Sequence, residues 1–319
     1  MAVLFRSTPL FAIIYVLLSF FSTDAHCEKD SLRAAIERIA KTSHGKVGVA
    51  LLGLEDGDTL SINGNAHFPM QSVYKFPLAM YILHLVDSGK LSLDQKVHIS
   101  KRDLPEDTWS PLREKYPKGN IDMRIGELLQ YSVSKSDNNV TDVLFRLAGG
   151  PKKVQQYIRS IGIQGMAIAK TEQQMHDSWN AQFQNWCEPL AMMDLLKVFY
   201  RSNYLSFESS DFLMKLMTES ENSPKRIRGL LPPETVVAHK SGTSNTNDAG
   251  VNAATNDAGI ITLPKGMHLA IVVYVSMSNA NYANRESFIA QIAKAAWDYY
   301  SQLEYRHIIK NTTDGKEKR

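Results

Sequence analysis

The feature that most constrains the fold is a change of pattern along the chain, from strands to helices and back to strands. Apolar runs at 46–54 and 59–62, joined by a turn at 56–58, predict a β-hairpin near the start. Beyond Pro232 the chain is again rich in β-forming residues, at 235–240, 258–263 and 269–275. Strands at both ends of a helical middle predict one antiparallel sheet to which both ends contribute.

Helical spacing of apolar residues marks much of the remaining chain. The runs lie at 30–41, 125–133, 140–147, 154–161, 190–199, 209–217 and 288–300. We therefore expect an α+β fold, with a five-stranded antiparallel sheet flanked by helices and an all-α domain beside it. The expected boundaries are an α/β domain at 26–68 and 225–303, an all-helical domain at 69–224, and a frayed polar tail at 304–319.

Two polar stretches, 101–119 and 170–186, have no clean period and predict loops. The second is expected to be ordered. An irregular loop of that length inside a compact domain is usually functional.

The first 25 residues predict a secretory signal peptide. The apolar stretch at 10–21 is too short to span a membrane, and small residues at 23–25 suit a signal peptidase. We expect a periplasmic protein without stable membrane association. Cys27 raises the alternative of a lipoprotein, which His26 disfavours because lipid attachment normally requires a small residue before the cysteine.

The charge and metal-ligand patterns exclude several classes of function. The net charge of +3 is dispersed, and no basic stripe interleaved with aromatic residues suggests nucleic acid. The nine histidines show no metal-ligand spacing, so neither a metal nor another cofactor is expected. The two cysteines, Cys27 and Cys187, argue against a structural disulfide because one adjoins the expected cleavage site. We expect a monomer that acts on a small molecule.

A Ser-x-x-Lys spacing opens the most apolar helical run. Ser72 and Lys75 share a helix face, and Pro77, which lacks a backbone N–H, places the helix start close to Ser72. A serine becomes a nucleophile when a base lies beside it, and a lysine kept from solvent can be that base. A helix-capping serine beside a surface lysine would give the same spacing, which occurs at two other places in the chain.

Two further motifs follow in a fixed order. Ser136-Asp137-Asn138 precedes a helix, where an N-cap cluster would also explain it, and Lys240-Ser241-Gly242 ends a strand. The order Ser-x-x-Lys, Ser-Asp-Asn, Lys-Ser/Thr-Gly is specific, and it is known from class A β-lactamases and penicillin-binding proteins.

From about Leu32 to Tyr300 the chain resembles a class A serine β-lactamase, and most of all the VEB- and PER-type extended-spectrum branch. The segments that carry the resemblance are 68–72, 172–176, 184–186 and 239–244. The resemblance implies an active site in the groove between the two domains. It also implies hydrolysis of penicillins and cephalosporins, extended-spectrum cephalosporins included, and hence antibiotic resistance.

The resemblance assigns catalytic roles to residues that match the family motifs. Ser72 would attack the lactam carbonyl, Lys75 would be a base or proton relay, and Ser136 would protonate the departing nitrogen. Glu172 would hold the water that attacks the ester. Whether Lys75 or Glu172 is the base for acylation stays open.

Substrate contacts are implied in the same way. The backbone N–H groups of Ser72 and Thr243 would form the oxyanion hole, and Asn138 would bind the side-chain amide of the substrate. Lys240, counted with the catalytic residues, would hold the substrate carboxylate together with the hydroxyls of Ser241 and Thr243.

Several positions depart from the commoner family pattern. Lys170 and Asn185 stand where many relatives have an Arg–Asp pair, so the 170–186 loop is expected to be held differently and to be wider. His176 replaces an asparagine; it either helps to place water or is a surface histidine. Arg226 is the expected substitute for a carboxylate-binding arginine. Trp109 forms an aromatic wall beside the substrate or simply packs.

Two other functions share the main motifs. A cell-wall transpeptidase or carboxypeptidase would use Ser72, Lys75, Ser136 and Lys240, and a β-lactam sensor would acylate and stay acylated. Neither needs Glu172, which therefore favours the hydrolase.

Overall fold

The computed structural model describes residues 28–201 and 204–314, with side chains up to residue 302. The expected signal peptide, its cleavage site and Cys27 lie outside the described residues. Within the described part, no helix is long and apolar enough to cross a membrane.

The strands and helices follow one another along the chain largely in the order that the sequence predicts. The strands are β1 (Lys46–Gly53), β2 (Thr59–Ile62), β3 (Phe68–Pro69), β4 (Lys96–Ile99), β5 (Ile121–Arg124), β6 (Met166–Ala167), β7 (Trp186–Cys187), β8 (Val237–Thr243), β9 (Thr255–Thr262) and β10 (His268–Ser276). The helices are α1 (28–41), α2 (Lys75–Asp87), α3 (Pro111–Lys115), α4 (Ile125–Val133), α5 (Asn138–Leu147), α6 (Pro151–Ser160), α7 (Glu172–Met175), α8 (Pro189–Tyr200), α9 (Phe207–Thr218) and α10 (Tyr282–Asp314).

Five strands form the central antiparallel sheet, in the order β2-β1-β10-β9-β8. The long strands are apolar on both faces, because one face packs on α1 and α10 and the other on the helical part of the chain. The α+β class and the five-stranded sheet built from both chain ends are therefore confirmed. β8 is an edge strand, so its outer edge is available to the site described below.

Helix α2 runs through the centre of the helical part. It is buried on nearly every side, from Lys75 to Leu85, and packs against α4, α5, α6 and α9. A helix that is apolar all round is stable only inside a core. This burial fixes the N-terminal end of α2 at the junction with the sheet.

The structure differs from the prediction in four places, of which the first is helix α7 inside the predicted loop 170–186. Short sheets, β4-β5 and β3-β7-β6, interrupt the stretch 69–224 that was predicted to be all-helical, because strands of two to four residues show no measurable period. Helix α3 lies inside the predicted loop 101–119. Helix α10 extends to Asp314, so most of the predicted polar tail is helical. The division into two domains stays a prediction.

Candidate active site

Ser72 lies half-buried in a 3₁₀ turn, Gln71–Tyr74, that continues directly into α2. Gln71 has a φ of +49°, a left-handed conformation that is uncommon for a residue other than glycine. The buried Asn256 on β9 donates from Nδ2 to the Pro69 carbonyl oxygen at 2.7 Å. The position of Ser72 is thus set by contacts with the sheet rather than by a side-chain helix cap, which neither helix start has.

Strand β8 passes against the backbone of this turn at Gly242. A Cβ atom on Gly242 would lie 2.5 Å from the Met70 carbonyl oxygen and 3.1 Å from the Ser72 nitrogen. Only glycine allows so close an approach. The next residue on β8, the exposed Thr243, is thereby brought beside Ser72.

Lys75 joins three of the predicted site residues. Its side chain is fully buried, and Nζ donates to Asn138 Oδ1 at 2.6 Å and to the Ser136 carbonyl oxygen at 2.9 Å. Nζ also lies 3.0 Å from Glu172 Oε1, an ion-pair contact that lacks hydrogen-bond angles. Glu172 Oε1 therefore keeps its capacity to accept a hydrogen bond from another donor.

The Ser136 hydroxyl lies between two buried ammonium groups. Lys240 Nζ donates to Ser136 Oγ at 2.9 Å, and Lys75 Nζ is 3.4 Å from the same atom. Burial lowers the pKa of Lys240 well below its usual value, and the charge of Lys75 lowers that pKa further, against the pull of Asp257. A hydroxyl placed in this way can give up a proton and regain one from a neighbouring ammonium.

Asp137 performs the capping role that its motif also allowed. It accepts from Val140 N at 3.0 Å as the N-cap of α5, and from Ser110 Oγ and Leu112 N, which ties α3 to α5. The N-cap interpretation is thus confirmed for Asp137, while its two neighbours contact Lys75 and their catalytic and substrate-binding roles stay predictions.

The 170–186 loop is held by an amide in place of an ion pair. The fully buried Asn185 accepts from Ala169 N and Lys170 N, both at 2.8 Å, and donates to the Lys170 carbonyl oxygen at 2.9 Å. A second link joins Gln71 Nε2 to Gln182 Oε1 at 2.7 Å, directly before Ser72. These contacts show how the loop is held in this protein; that it is held differently from the loops of relatives, and that it is wider, stay predictions.

Asp142 on α5 is a site residue that sequence reasoning missed. Its carboxylate accepts from Glu172 N at 2.7 Å and from Gln173 N at 2.9 Å, and so caps α7. Burial raises the pKa of Asp142 to about 6, against the hydrogen bond from the Gln173 backbone, which lowers the pKa, and with a smaller contribution from the charge of Glu172, which raises it. The sequence signal that could have pointed to Asp142 is an acidic residue within the amphipathic helix α5.

Arg226 does not lie where a direct carboxylate contact would require. It is fully buried, and its guanidinium donates to Thr243 Oγ1 at 2.6 Å, to the Gly242 carbonyl oxygen at 3.0 Å and to Glu286 at 3.3 Å. The prediction of a substrate contact is corrected to an indirect one: Arg226 can act on a bound carboxylate through the hydroxyl of Thr243.

Trp109 and His176 both lie at the surface. Trp109 is 55% exposed, and its Nε1 donates to the Lys135 carbonyl oxygen at 3.1 Å, which holds the ring next to Ser136. His176 is exposed at the C-terminal end of α7, one turn after Glu172. The site's helical rim is therefore aromatic, and the histidine lies outside the cluster around Lys75.

Among the residues that the structure describes, no group of three or more His, Cys, Asp and Glu side chains has the arrangement of a metal site. Cys187 is a buried free thiol.

Comparison with known proteins gives consistent matches over nearly the whole chain. The model of a family described as "Beta-lactamase enzyme family" matches residues 31–300. The chain is 43% identical to β-lactamase VEB-1 of Pseudomonas aeruginosa over 90% of this chain and 97% of that protein. It is 42% identical to the extended-spectrum β-lactamase PER-1 of the same organism, over 89% of this chain and 92% of that protein.

A solved structure agrees with these sequence matches. The crystal structure of a β-lactamase from Chitinophaga pinensis superimposes with a TM-score of 0.83 at 54% identity, and covers 84% of this chain and 98% of that one.

Proposed function

The chain belongs to the β-lactamase enzyme family, as a serine hydrolase of class A, and we propose that it opens the lactam amide of penicillins and cephalosporins through an ester on Ser72. The observation that carries this proposal is the buried cluster around Lys75, which contacts Ser136, Asn138 and Glu172.

In the first step the Ser72 oxygen attacks the lactam carbonyl carbon, and its proton passes to the Lys75–Glu172 pair. The backbone N–H groups of Ser72 and Thr243 would stabilise the oxyanion, and each such donor is typically worth about 2.7–4 kcal/mol. The carbon–nitrogen bond then breaks, and Ser136 gives its proton to the nitrogen. The Lys75–Glu172 pair then passes the proton taken from Ser72 to the Ser136 oxygen through Lys75 Nζ, 3.4 Å away, while Lys240 donates a hydrogen bond to the same oxygen at 2.9 Å.

In the second step water attacks the Ser72 ester. Glu172, a buried acid whose Oε1 has no hydrogen-bond partner among the described residues, takes a proton from that water as it attacks. The bond between the ester carbon and the Ser72 oxygen then breaks, and the proton passes from Glu172 to that oxygen, which restores Ser72 and the Glu172 carboxylate. General base catalysis typically contributes about 10²–10⁴-fold. This step favours a hydrolase over a transpeptidase or a sensor, neither of which needs a base at this position.

The substrate carboxylate would lie against Lys240 and the hydroxyls of Ser241 and Thr243. Arg226 supports this end from behind Thr243, at 2.6 Å from its hydroxyl. Asn138 would bind the side-chain amide at the other end. One N–H of its Nδ2 donates to Thr108 Oγ1 at 2.7 Å, and the second N–H can donate to the substrate.

Extended-spectrum cephalosporins are the proposed preferred substrates. The relative PER-1 bears that description, and the 170–186 loop that would flank their bulky side chains is held by Asn185 rather than by an ion pair. Trp109 at the groove's rim, and His176 at the end of α7, would border the same substrates. We further propose a periplasmic monomer, exported by the signal peptide at 1–25, whose only ligand is the β-lactam.

Intact-mass spectrometry of a Ser72→Ala variant, beside steady-state kinetics of the wild type, tests this function. We expect the wild type to hydrolyse benzylpenicillin and cefotaxime, and Ser72→Ala to lose activity by on the order of 10⁶-fold with no penicilloyl adduct. Near-ultraviolet circular dichroism checks that the variant is folded. A covalent adduct on the folded variant would show that another residue is the nucleophile.

A further inference from the structure

Tyr282, the first residue of α10, lies against two buried charged side chains and is also exposed to solvent. The ring centroid lies 6.0 Å from Cζ of Arg226 and 5.8 Å from Cζ of Arg285. Both arginines are buried, whereas Tyr282 is 49% exposed. Cation–π attraction to two desolvated guanidinium groups holds the ring in place. The exposed part of the ring can touch another molecule.

Both guanidinium groups also connect the ring to Thr243. Arg226 donates to the Thr243 hydroxyl at 2.6 Å, and Arg285 donates to Thr255 Oγ1 at 2.9 Å. Thr255 is the direct partner of Thr243 between β8 and β9. Tyr282 therefore lies on the sheet side of the groove, next to the residue at which the substrate carboxylate would bind.

Trp109 occupies the opposite rim. It is anchored through its Nε1 to the Lys135 carbonyl oxygen at 3.1 Å, and its own carbonyl oxygen accepts from Asn138 N at 3.0 Å. Asn138 belongs to the end that would take the substrate's acylamino group. The groove is thus bordered by one exposed aromatic ring near each end of the proposed substrate.

The chemistry of a cephalosporin selects what Tyr282 would contact. Its acylamino group and its carboxylate lie at opposite ends of the fused rings, and the carbon that bears the C3 substituent adjoins the carbon that bears the carboxylate. With the acylamino group at Asn138 and the carboxylate at Thr243, the C3 substituent is brought to the sheet-side rim.

We propose that Tyr282 is a specificity-determining residue whose exposed ring packs against the C3 substituent of cephalosporins. This inference rests on the proposed function. The ring discriminates among cephalosporins by what C3 carries, while the acyl side chain is recognised elsewhere, near Asn138 and the 170–186 loop.

The test uses two substrates that share an acyl side chain and differ at C3. Cefotaxime carries an acetoxymethyl group there, and ceftizoxime carries hydrogen. We expect Tyr282→Ala to lower the ratio of kcat/KM for cefotaxime to that for ceftizoxime by about ten-fold, the low end of what a few apolar contacts discriminate. Tyr282→Phe keeps the ring and should hold the ratio within about two-fold. Because kcat/KM reports the steps up to acylation, later loss of acetate does not affect the comparison.

The paired design separates a contact from a structural effect. If Tyr282→Ala acted only by disturbing Arg226, both substrates would lose the same factor and the ratio would stay unchanged, which would overturn the proposal while leaving the proposed function intact. A wild type that hydrolyses neither compound would instead remove the proposed function.

Two further variants complete the test. Phe207→Ala removes a ring that is 78% exposed at the start of α9, where Ser206 is bonded to Asp87 at the far end of α2, and it should leave both substrates unchanged. If Tyr282→Ala does not fold, Tyr282→Leu decides the matter, because leucine covers the guanidinium groups without presenting a ring face. A ratio lowered at least about three-fold supports the proposal, and an unchanged ratio contradicts it.

Discussion

The buried part of the candidate site around Lys75 and Arg226, which we call the floor, and the 170–186 loop are held by different kinds of interaction. The floor depends on buried charges, with Lys75 beside Glu172 and Arg226 beside Glu286. The loop depends on hydrogen bonds from its own backbone to Asn185 and Asp142. Breaking a buried ion pair leaves an uncompensated charge, whereas breaking an amide contact leaves unpaired polar groups. The floor should therefore tolerate substitution far less than the loop.

The largest effect on stability is expected for Arg226→Ala, on the floor. It should lower the free energy of unfolding by about 3–5 kcal/mol, because Glu286 stays buried without its partner. It should also lower kcat/KM for carboxylate-bearing substrates, since Thr243 loses its donor. Urea denaturation and steady-state kinetics measure the two effects.

The double variant Arg226→Ala/Glu286→Gln is the matched control for stability. It removes the uncompensated charge and should regain part of the lost stability without regaining activity. A single variant as stable as the wild type would show that this ion pair does not hold the floor.

A smaller effect is expected for Asn185→Ala, in the loop. It unpairs Ala169 N, Lys170 N and the Lys170 carbonyl oxygen, so the free energy of unfolding should fall by about 1–3 kcal/mol. Limited proteolysis should cut the loop sooner, and deacylation should slow more than acylation. Asn180→Ala removes an exposed asparagine of the same loop and should change none of these. If the two variants behaved alike, Asn185 would not be the anchor.

The smallest effect concerns the pH dependence that Asp142 introduces. Its folded-state pKa of about 6 lies above its ordinary value of 3.8, so the folded protein holds more protons than the unfolded chain between these pH values. The free energy of unfolding contributed by this group therefore falls as pH rises from about 4 to about 6.

Asp142→Asn should flatten that slope, because it keeps an acceptor for α7 and removes the titration. Denaturation of both proteins at pH 4, 5, 6 and 7 measures the difference, in which the titration of groups common to both cancels. Equal slopes would mean that Asp142 does not titrate in this range.

The two regions also differ in how far the sequence predicts them. The floor could be predicted because its residues belong to three short motifs that occur in a specific order. Ser72 lies at a helix start, Ser136 just before a helix, and Lys240 near the end of a strand. The strands of the main sheet could be predicted from the sequence because both of their faces are buried, which gives long apolar runs. The residues that anchor the loop were harder to predict, since the hydrogen bond between Glu172 N and Asp142 joins residues that are 30 positions apart in sequence.

Other features depend on packing that no local pattern records. Asn256 bonds to Pro69 across 187 residues of sequence, and nothing in its neighbours predicts that it supports the turn that carries Ser72. The burial of Arg226 is likewise a tertiary property, since arginine is usually exposed and the chain around it is polar. Strands of two residues, such as β3, are too short to predict from periodicity.

Glu172 is where the two regions meet, because it lies in the loop and contacts Lys75 on the floor at 3.0 Å. The central claim is that it clears the Ser72 ester. Asp177, an exposed acid of the same loop, provides a matched control as Asp177→Asn, which should turn over like the wild type.

Stopped-flow kinetics of Glu172→Gln with a chromogenic cephalosporin, followed by intact-mass spectrometry, test that claim most directly. We expect acylation of Ser72, a burst of one product per enzyme, and a stable adduct, with turnover slowed by about 10²–10⁴-fold. Turnover of this variant at the wild-type rate would contradict the assignment of Glu172. A wild type that itself stops after one turnover would contradict the hydrolase and leave a penicillin-binding protein or a sensor.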